Sequence, residues 1–151
     1  MRRSRSEFTN KAASTIKFGE GFAKKIIKTG VAKRAKVLAL QGELGAGKTT
    51  FIKGFARGLG IKGKVLSPTF ILIKKFAIRN PQFFNFYHID CYRLKNPKDL
   101  LDLGFKKIIA VPQNIVAVEW AARVKSILPR KIIRIKFKTI DKNKREIIIS
   151  K

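Results

Sequence analysis

Apolar residues recur every four positions at Phe18, Phe22 and Ile26, which predicts an amphipathic helix over Ala13 to Lys28. Gly19 and Gly21 weaken that pattern, and Gly30 suits the helix's C-terminal stop. Lys36 to Leu40 has the apolar density of a short buried strand. From Lys48 to Leu59, Phe51, Ile52, Phe55, Ala56 and Leu59 share one helical side, and Gly58 and Gly60 close the segment. Two strand-like runs, Phe70 to Ile78 and Phe83 to Asp90, flank Arg79-Asn80-Pro81-Gln82 and predict a hairpin. Asn96-Pro97-Lys98-Asp99 predicts a helix start: Asn caps, Pro takes the first position, and Asp sits in the first turn. That helix runs over Leu100, Leu101 and Leu103 to Gly104. Ile115 to Val118 predicts another buried strand. In the tail, Ile133, Ile135 and Phe137 alternate with Arg134, Lys136 and Lys138. The chain then turns at Asp141-Lys142-Asn143-Lys144 and returns through Glu146 to Ile149, a second hairpin. Arg2 to Phe8 shows no such period and reads as a frayed, flexible basic start. Helices, buried strands and hairpins together predict an α/β domain with a mixed sheet.

The length, 151 residues, suits one domain able to bury its own core. With 45% hydrophobic and 29% charged residues, the chain is neither disordered nor low in complexity. A single cysteine, Cys91, excludes an internal disulfide and a cysteine-rich zinc site. No apolar run approaches the ~20 residues needed to span a bilayer. Met1-Arg2-Arg3-Ser4-Arg5 has a signal peptide's charge without its apolar stretch. A soluble, cytoplasmic protein is the expectation. The charge is unusual: Lys plus Arg number 35 against nine Asp plus Glu, a net +26. Such a field favours polyanions, but a basic proteome explains it as well, and its dispersion argues against one dedicated face.

The strongest chemical signal is Gly42-Glu43-Leu44-Gly45-Ala46-Gly47-Lys48-Thr49, which fits G-x-x-x-x-G-K-[ST]. A strand-like run precedes it and a helical pattern follows, the setting a phosphate-binding loop requires. Glycines let backbone N–H groups converge on phosphates without a Cβ in the way. The helix N-terminus adds partial positive charge. Lys48 is then expected to neutralise the β- and γ-phosphates, and the Thr49 hydroxyl to ligate Mg²⁺. Mg²⁺ on ATP also calls for a carboxylate at a strand end. Glu119 and Asp90 each close an apolar strand; capping the next helix or pairing with a lysine is the plain alternative for both. Glu43 is a weaker candidate, within the loop itself. Asp99 and Asp102 read as helix-surface residues and Asp141 as a turn residue.

Ser67-Pro68-Thr69 could face the γ-phosphate as a switch segment, or be an ordinary hydroxyl-bearing loop. The lone histidine, His88, reads as a half-buried strand residue rather than a ligand or base. Trp120 suits base or partner stacking and core packing equally. Cys91 reads as a small buried hydrophobe.

Gly42 to Thr50, Ser67-Pro68-Thr69-Phe70, His88-Ile89-Asp90-Cys91-Tyr92-Arg93-Leu94 and Glu119-Trp120 occur in one order and spacing. In that combination the chain, from Thr15 onward, resembles the TsaE (YjeE) family. The resemblance implies a small bacterial ATPase with a P-loop NTPase-like three-layer fold and a mixed parallel/antiparallel sheet. The family serves biosynthesis of threonylcarbamoyladenosine at A37 of tRNA. Its members act with the TsaD–TsaB dimer and use ATP hydrolysis to sustain turnover. Carried over, the loop from Glu43 through Leu44, Gly45, Ala46, Gly47, Lys48, Thr49 and Thr50 would hold nucleotide, with Thr49 and Glu119 on Mg²⁺. Asp90 would lie beside the metal and position the attacking water. Ser67 and Thr69 would form the switch-like loop, Thr69 among the catalytic residues. Trp120 would sit near the nucleotide, Thr15 near the adenine, and Arg145 would touch nucleotide. Three departures stand out: Glu43 where Asp is usual, Cys91 for a larger apolar residue, and the strong positive charge. The charge leaves a weak direct tRNA contact open.

The expected function is therefore Mg²⁺-dependent ATP hydrolysis, slow alone and faster with partners. Two rivals share the cradle. A small-molecule kinase would need an acceptor pocket and an arginine-bearing lid, and no arginine-rich insertion is present. A basic tRNA-binding module with a nucleotide switch would need salt-sensitive binding.

Overall fold

Residues 3–63, 65 and 72–151 are described by a computed structural model of the chain. The four-residue apolar spacing becomes α1 (Ala12–Lys28), and the run after the glycine loop becomes α2 (Lys48–Gly58). The strands are β1 (Ser4–Thr9), β2 (Lys36–Gly42), β3 (Ile73–Ala77), β4 (Asn85–Asp90), β5 (Asn114–Glu119), β6 (Ile133–Thr139) and β7 (Arg145–Ser150). Two short helices, α3 (Pro97–Asp102) and α4 (Phe105–Ala110), and a 3₁₀ segment (Ala121–Ile127) complete the chain. The predicted cap of α3 forms, with the Asn96 side chain accepting from Lys98 N–H and Pro97 in the first turn.

The strands make one seven-stranded sheet in the order β1-β7-β6-β2-β5-β4-β3. Its centre, β6-β2-β5-β4, is parallel. The outer strands β3, β7 and β1 pair antiparallel. The expected mixed sheet and three layers are thus present. On one face, Leu38, Leu40, Phe86, Ile115 and Ile135 pack with Phe51 and Phe55 of α2. On the other, Val37, Ala39, Val116 and Val118 pack with Leu100, Phe105 and Val124. Burial on both faces explains why β2 and β5 read as continuous apolar runs rather than alternating ones.

Helices α1 and α2 cross almost backbone to backbone. A Cβ on Gly54 would press into the Ile16 main chain, and one on Gly19 into Phe51 and Phe55 main-chain atoms. Glycine costs a helix interior about 1 kcal/mol against alanine. Here it permits a close approach that brings the first turn of α1 beside the start of α2. Thr15 Cγ2 would stand only 3.9 Å from a Cβ at Gly47.

Several expectations need correction. Ser4–Thr9 is not a frayed start but β1, paired with β7 along its length. The strand hides from a pattern search because it lies at the sheet edge, with all but Glu7 and Thr9 exposed. The helix from Pro97 stops just before Gly104, as expected, but a second helix starts there. Gly104, in the left-handed region (φ 88°), joins α3 to this unpredicted helix, α4. The loop Ser67-Pro68-Thr69 and the start of the predicted Phe70 to Ile78 strand lie outside the described residues. Among the described residues no helix is long and apolar enough to cross a membrane.

Candidate functional site

Because β2, β5 and β4 run parallel, their C-terminal ends meet at one sheet edge. Leu40 of β2 pairs with Glu119, and Glu119 pairs with Asp90 across the next strand. The glycine loop leaves β2 at that edge, as ligand sites do in open α/β sheets. Gly45 and Gly47 take positive φ (78° and 103°), so the loop can curl tightly back onto α2. Gly47 caps α2 and offers no side chain, so no side-chain cap covers the helix's first-turn N–H groups.

Lys48 is only 4% exposed. Its Nζ donates to the carbonyls of Gly42 (2.5 Å) and Glu43 (2.9 Å) and lies 4.3 Å from the centre of the Trp120 ring. Burial lowers its pKa from the ordinary value, while Glu119 and Asp90 oppose that shift. Thr49 Oγ1 donates to Glu119 Oε1 at 2.9 Å. Glu119 and Asp90 are 2% and 6% exposed. Asp90 Oδ1 accepts from Tyr92 N–H at 3.0 Å, and Tyr92 packs on Trp120 with ring centres 5.0 Å apart. Trp120 holds a left-handed backbone (φ 57°), the one non-glycine among the described residues to do so. Such conformations cost about 1–3 kcal/mol and persist where the surroundings enforce them. These groups border a hollow of about 230 Å³.

A second hollow of about 190 Å³ opens on the other side of the loop, lined by Thr15, Thr50, Lys11, Asn143 and Arg145. Arg145 Nη2 donates to Gly45 O at 3.4 Å, and its Nη1 donates to Asp141 O at 2.8 Å. Thr15, in the first turn of α1, bonds Thr9 through their hydroxyls at 2.8 Å. The fold therefore gathers Thr15, Gly45, Gly47, Lys48, Thr49, Thr50, Asp90, Glu119, Trp120 and Arg145 around one loop. Leu44 is exposed beside it, and Ala46 is buried within it, donating to Glu43 O. Glu43 contributes its carbonyl to Lys48, while its residue is exposed. Ser67 and Thr69 lie outside the described residues.

His88 is the residue that sequence reasoning misjudged. It is fully buried, not half-buried, and its Nε2 lies 2.6 Å from Glu119 Oε2. A signal was present: two strand positions separate His88 from Asp90, which puts both on one face. Cys91 is buried as expected, and desolvation pushes its thiol up to about 12, so it is no nucleophile.

Among the described residues, no group of three or more His, Cys, Asp and Glu could hold a metal ion. Mg²⁺ does not ask for such a cage. It keeps several waters and binds through one or two carboxylates plus phosphate. The hard oxygens of Thr49 and Glu119, with Asp90 in register beside them, fit that habit.

A family model described as "Threonylcarbamoyl adenosine biosynthesis protein TsaE" matches residues 9–147. The chain is 43% identical over 116 residues to the tRNA threonylcarbamoyladenosine biosynthesis protein TsaE of Bacillus subtilis, across 77% of this chain and 70% of that protein. It is 34% identical over 143 residues to the Rickettsia typhi protein of the same name, across 94% and 92%. Among solved structures, Bacillus subtilis YdiB aligns with a TM-score of 0.77 at 33% identity, covering 99% of this chain and 86% of that one.

Proposed function

The chain belongs to the TsaE family of threonylcarbamoyladenosine biosynthesis proteins, and on that premise we propose that it is a Mg²⁺-dependent ATPase of tRNA modification. The observation that carries this reading is the Thr49 hydroxyl against the buried Glu119 carboxylate at the mouth of the glycine loop. A carboxylate is costly to bury without donors or a cation, and this one sits where a phosphate-bound cation is needed.

In this mechanism the loop N–H groups and the N-terminus of α2 cradle the phosphates. Lys48 exchanges the neutral carbonyls of Gly42 and Glu43 for phosphate oxygens, a stronger charge-assisted pairing. Thr49 and Glu119 would hold Mg²⁺, which supplies charge neutralisation on the β- and γ-phosphates. Asp90 orients the water for in-line attack, and Lys48 stabilises the charge that develops. Trp120, Thr15 and Arg145 flank the nucleotide. ATP is the substrate, and ADP and phosphate are the products. Partnership with the TsaD–TsaB dimer, and a cytoplasmic address, are carried over from the family resemblance. Phosphate release from ATP, measured with and without TsaD–TsaB, tests this. Slow release alone and faster release in the mixture are expected; no release in either, or full activity alone, would contradict it.

A specific observation favours direct RNA contact as a second reading. One face of β6, β7 and β1 carries Arg134, Ser150 and Ser4 in register, then Lys136, Ile148 and Ser6, then Lys138, Glu146 and Phe8. Arg134, Lys136 and Lys138 face a single carboxylate there, and Phe8 is 56% exposed with Lys144 Nζ 5.3 Å from its ring centre. Cations beside an exposed ring suit phosphates and bases. tRNA binding should then weaken steeply with salt and with Lys136→Glu; a flat salt response would dismiss it.

A further inference from the structure

The buried carboxylate of Glu119 has two oxygens, and each has its own partner. Oε1 takes the Thr49 hydroxyl at 2.9 Å and Oε2 faces His88 Nε2 at 2.6 Å. As the cation ligand of the proposed function, Glu119 is an ionised carboxylate that only accepts, and on that reading Nε2 carries the hydrogen. His88 is wholly buried, and its Nδ1 is the one buried side-chain nitrogen or oxygen without a hydrogen-bond partner among the described residues. The imidazole therefore makes a single directed bond, to Glu119, and hands nothing on to a further group.

The sheet is built to allow that bond. His88 pairs with Ala117 on β5, and Asp90 pairs with Glu119 two residues on. The imidazole therefore reaches diagonally across the strand pair to Glu119. A histidine buried with one orphaned nitrogen is a costly way to fill a core. Its benefit has to lie in what it does to the carboxylate.

We propose that His88 is a positioning residue that pins Glu119 Oε2 and so leaves Oε1, beside Thr49, as the single oxygen offered to the cation. This rests on the reading of Glu119 as a metal ligand. Its chemical consequence is selectivity. Mg²⁺ is small and demands near-octahedral geometry, whereas Ca²⁺ readily accepts both oxygens of one carboxylate. A carboxylate held to one oxygen favours Mg²⁺ or Mn²⁺. A carboxylate freed at Oε2 can swing to embrace Ca²⁺.

The test is cation binding to the ADP-saturated full chain, with Mn²⁺ followed by its electron paramagnetic resonance and Ca²⁺ by competition. His88→Leu fills the space without the donor, and His88→Gln returns an N–H donor near the same place. His88→Leu should weaken Mn²⁺ roughly 10–100-fold, as loss of an outer partner of a metal ligand does. Ca²⁺ should weaken less, so the Mn²⁺/Ca²⁺ ratio falls, and His88→Gln should recover much of it. ADP affinity without metal, followed by Trp120 fluorescence, should not change. Unaltered Mn²⁺ binding in His88→Leu, or an equal loss of Mn²⁺, Ca²⁺ and metal-free ADP, overturns the inference. Glu119→Gln separates the two levels. If it too retains Mn²⁺, the metal reading itself fails; if it alone loses Mn²⁺, only the role of His88 fails. Should His88→Leu not fold, the wild-type infrared difference spectrum on adding Mg²⁺ decides. A one-oxygen carboxylate signature supports the proposal, and a two-oxygen signature overturns it.

Discussion

The two hollows beside the glycine loop are similar in size, yet their linings differ in kind. One, at the β6–β7 turn and the start of α1, presents Lys11, Lys142 and Arg145 with hydroxyls and no carboxylate. The other, at the ends of β4 and β5, presents Asp90 and Glu119 with Lys48, Arg93, Thr49 and Trp120. The first attracts an anion outright. The second sets two acids against two bases, so it offers a place to a cation as well as to an anion. Under the proposed function, gripping a nucleotide and cutting it would fall on opposite sides of one loop. The cause lies in the fold: parallel strand ends supply buried acids, while a hairpin turn supplies more exposed bases.

That contrast can be broken by single substitutions. The largest effect is expected from Lys48→Ala, which removes the cation common to both tasks. Phosphate release should fall roughly 10²–10³-fold, and ADP titration should show weakened binding as well. On the acidic side, Asp90→Ala should cut phosphate release by about 10²-fold or more while ADP affinity stays near wild type. Loss of ADP binding in that variant would erase the division of labour. On the basic side, Arg145→Ala should do the reverse. ADP affinity should weaken about three- to ten-fold, with turnover of bound ATP little changed in single-turnover kinetics.

The smallest effect concerns the turn that carries Arg145. The Asp141 carboxylate accepts from Asn143 and Lys144 N–H, and these bonds hold its pKa below the ordinary 3.8. A depressed folded-state pKa means stability that is present above the unfolded value and is lost as pH falls through the depressed one. Asp141→Ala should lower the melting temperature by roughly 1–3 °C at neutral pH. The gap to wild type should close as the pH falls below about 3.8.

Most of the acidic side was legible because its chemistry is written in fixed spacings. Gly42 to Thr49 is a contiguous motif, and Asp90 and Glu119 stand out as acids closing apolar runs. The basic side was not legible from pattern. Thr15 and Arg145 lie 130 residues apart and meet only because β1, β7 and α1 fold against the loop; the family resemblance supplied them. β1 escaped because backbone pairing at a sheet edge needs no apolar alternation. The Ala13–Lys28 segment looked weak as a helix because of Gly19 and Gly21, yet Gly19 serves the close contact with α2, which no single-segment period records. His88 escaped for a related reason: its spacing from Asp90 was readable, but its partner, Glu119, is on another strand and is brought to it by the register of β4 with β5.

The most direct measurement is a crystal structure with a non-hydrolysable ATP analogue and Mn²⁺, whose anomalous signal locates the ion. The ion should lie about 2.1 Å from Thr49 Oγ1, with Glu119 and Asp90 around it and Lys48 Nζ moved from Gly42 and Glu43 onto phosphate. An analogue bound away from residues 42–49, or an ion beyond reach of both Thr49 and Glu119, would contradict the account.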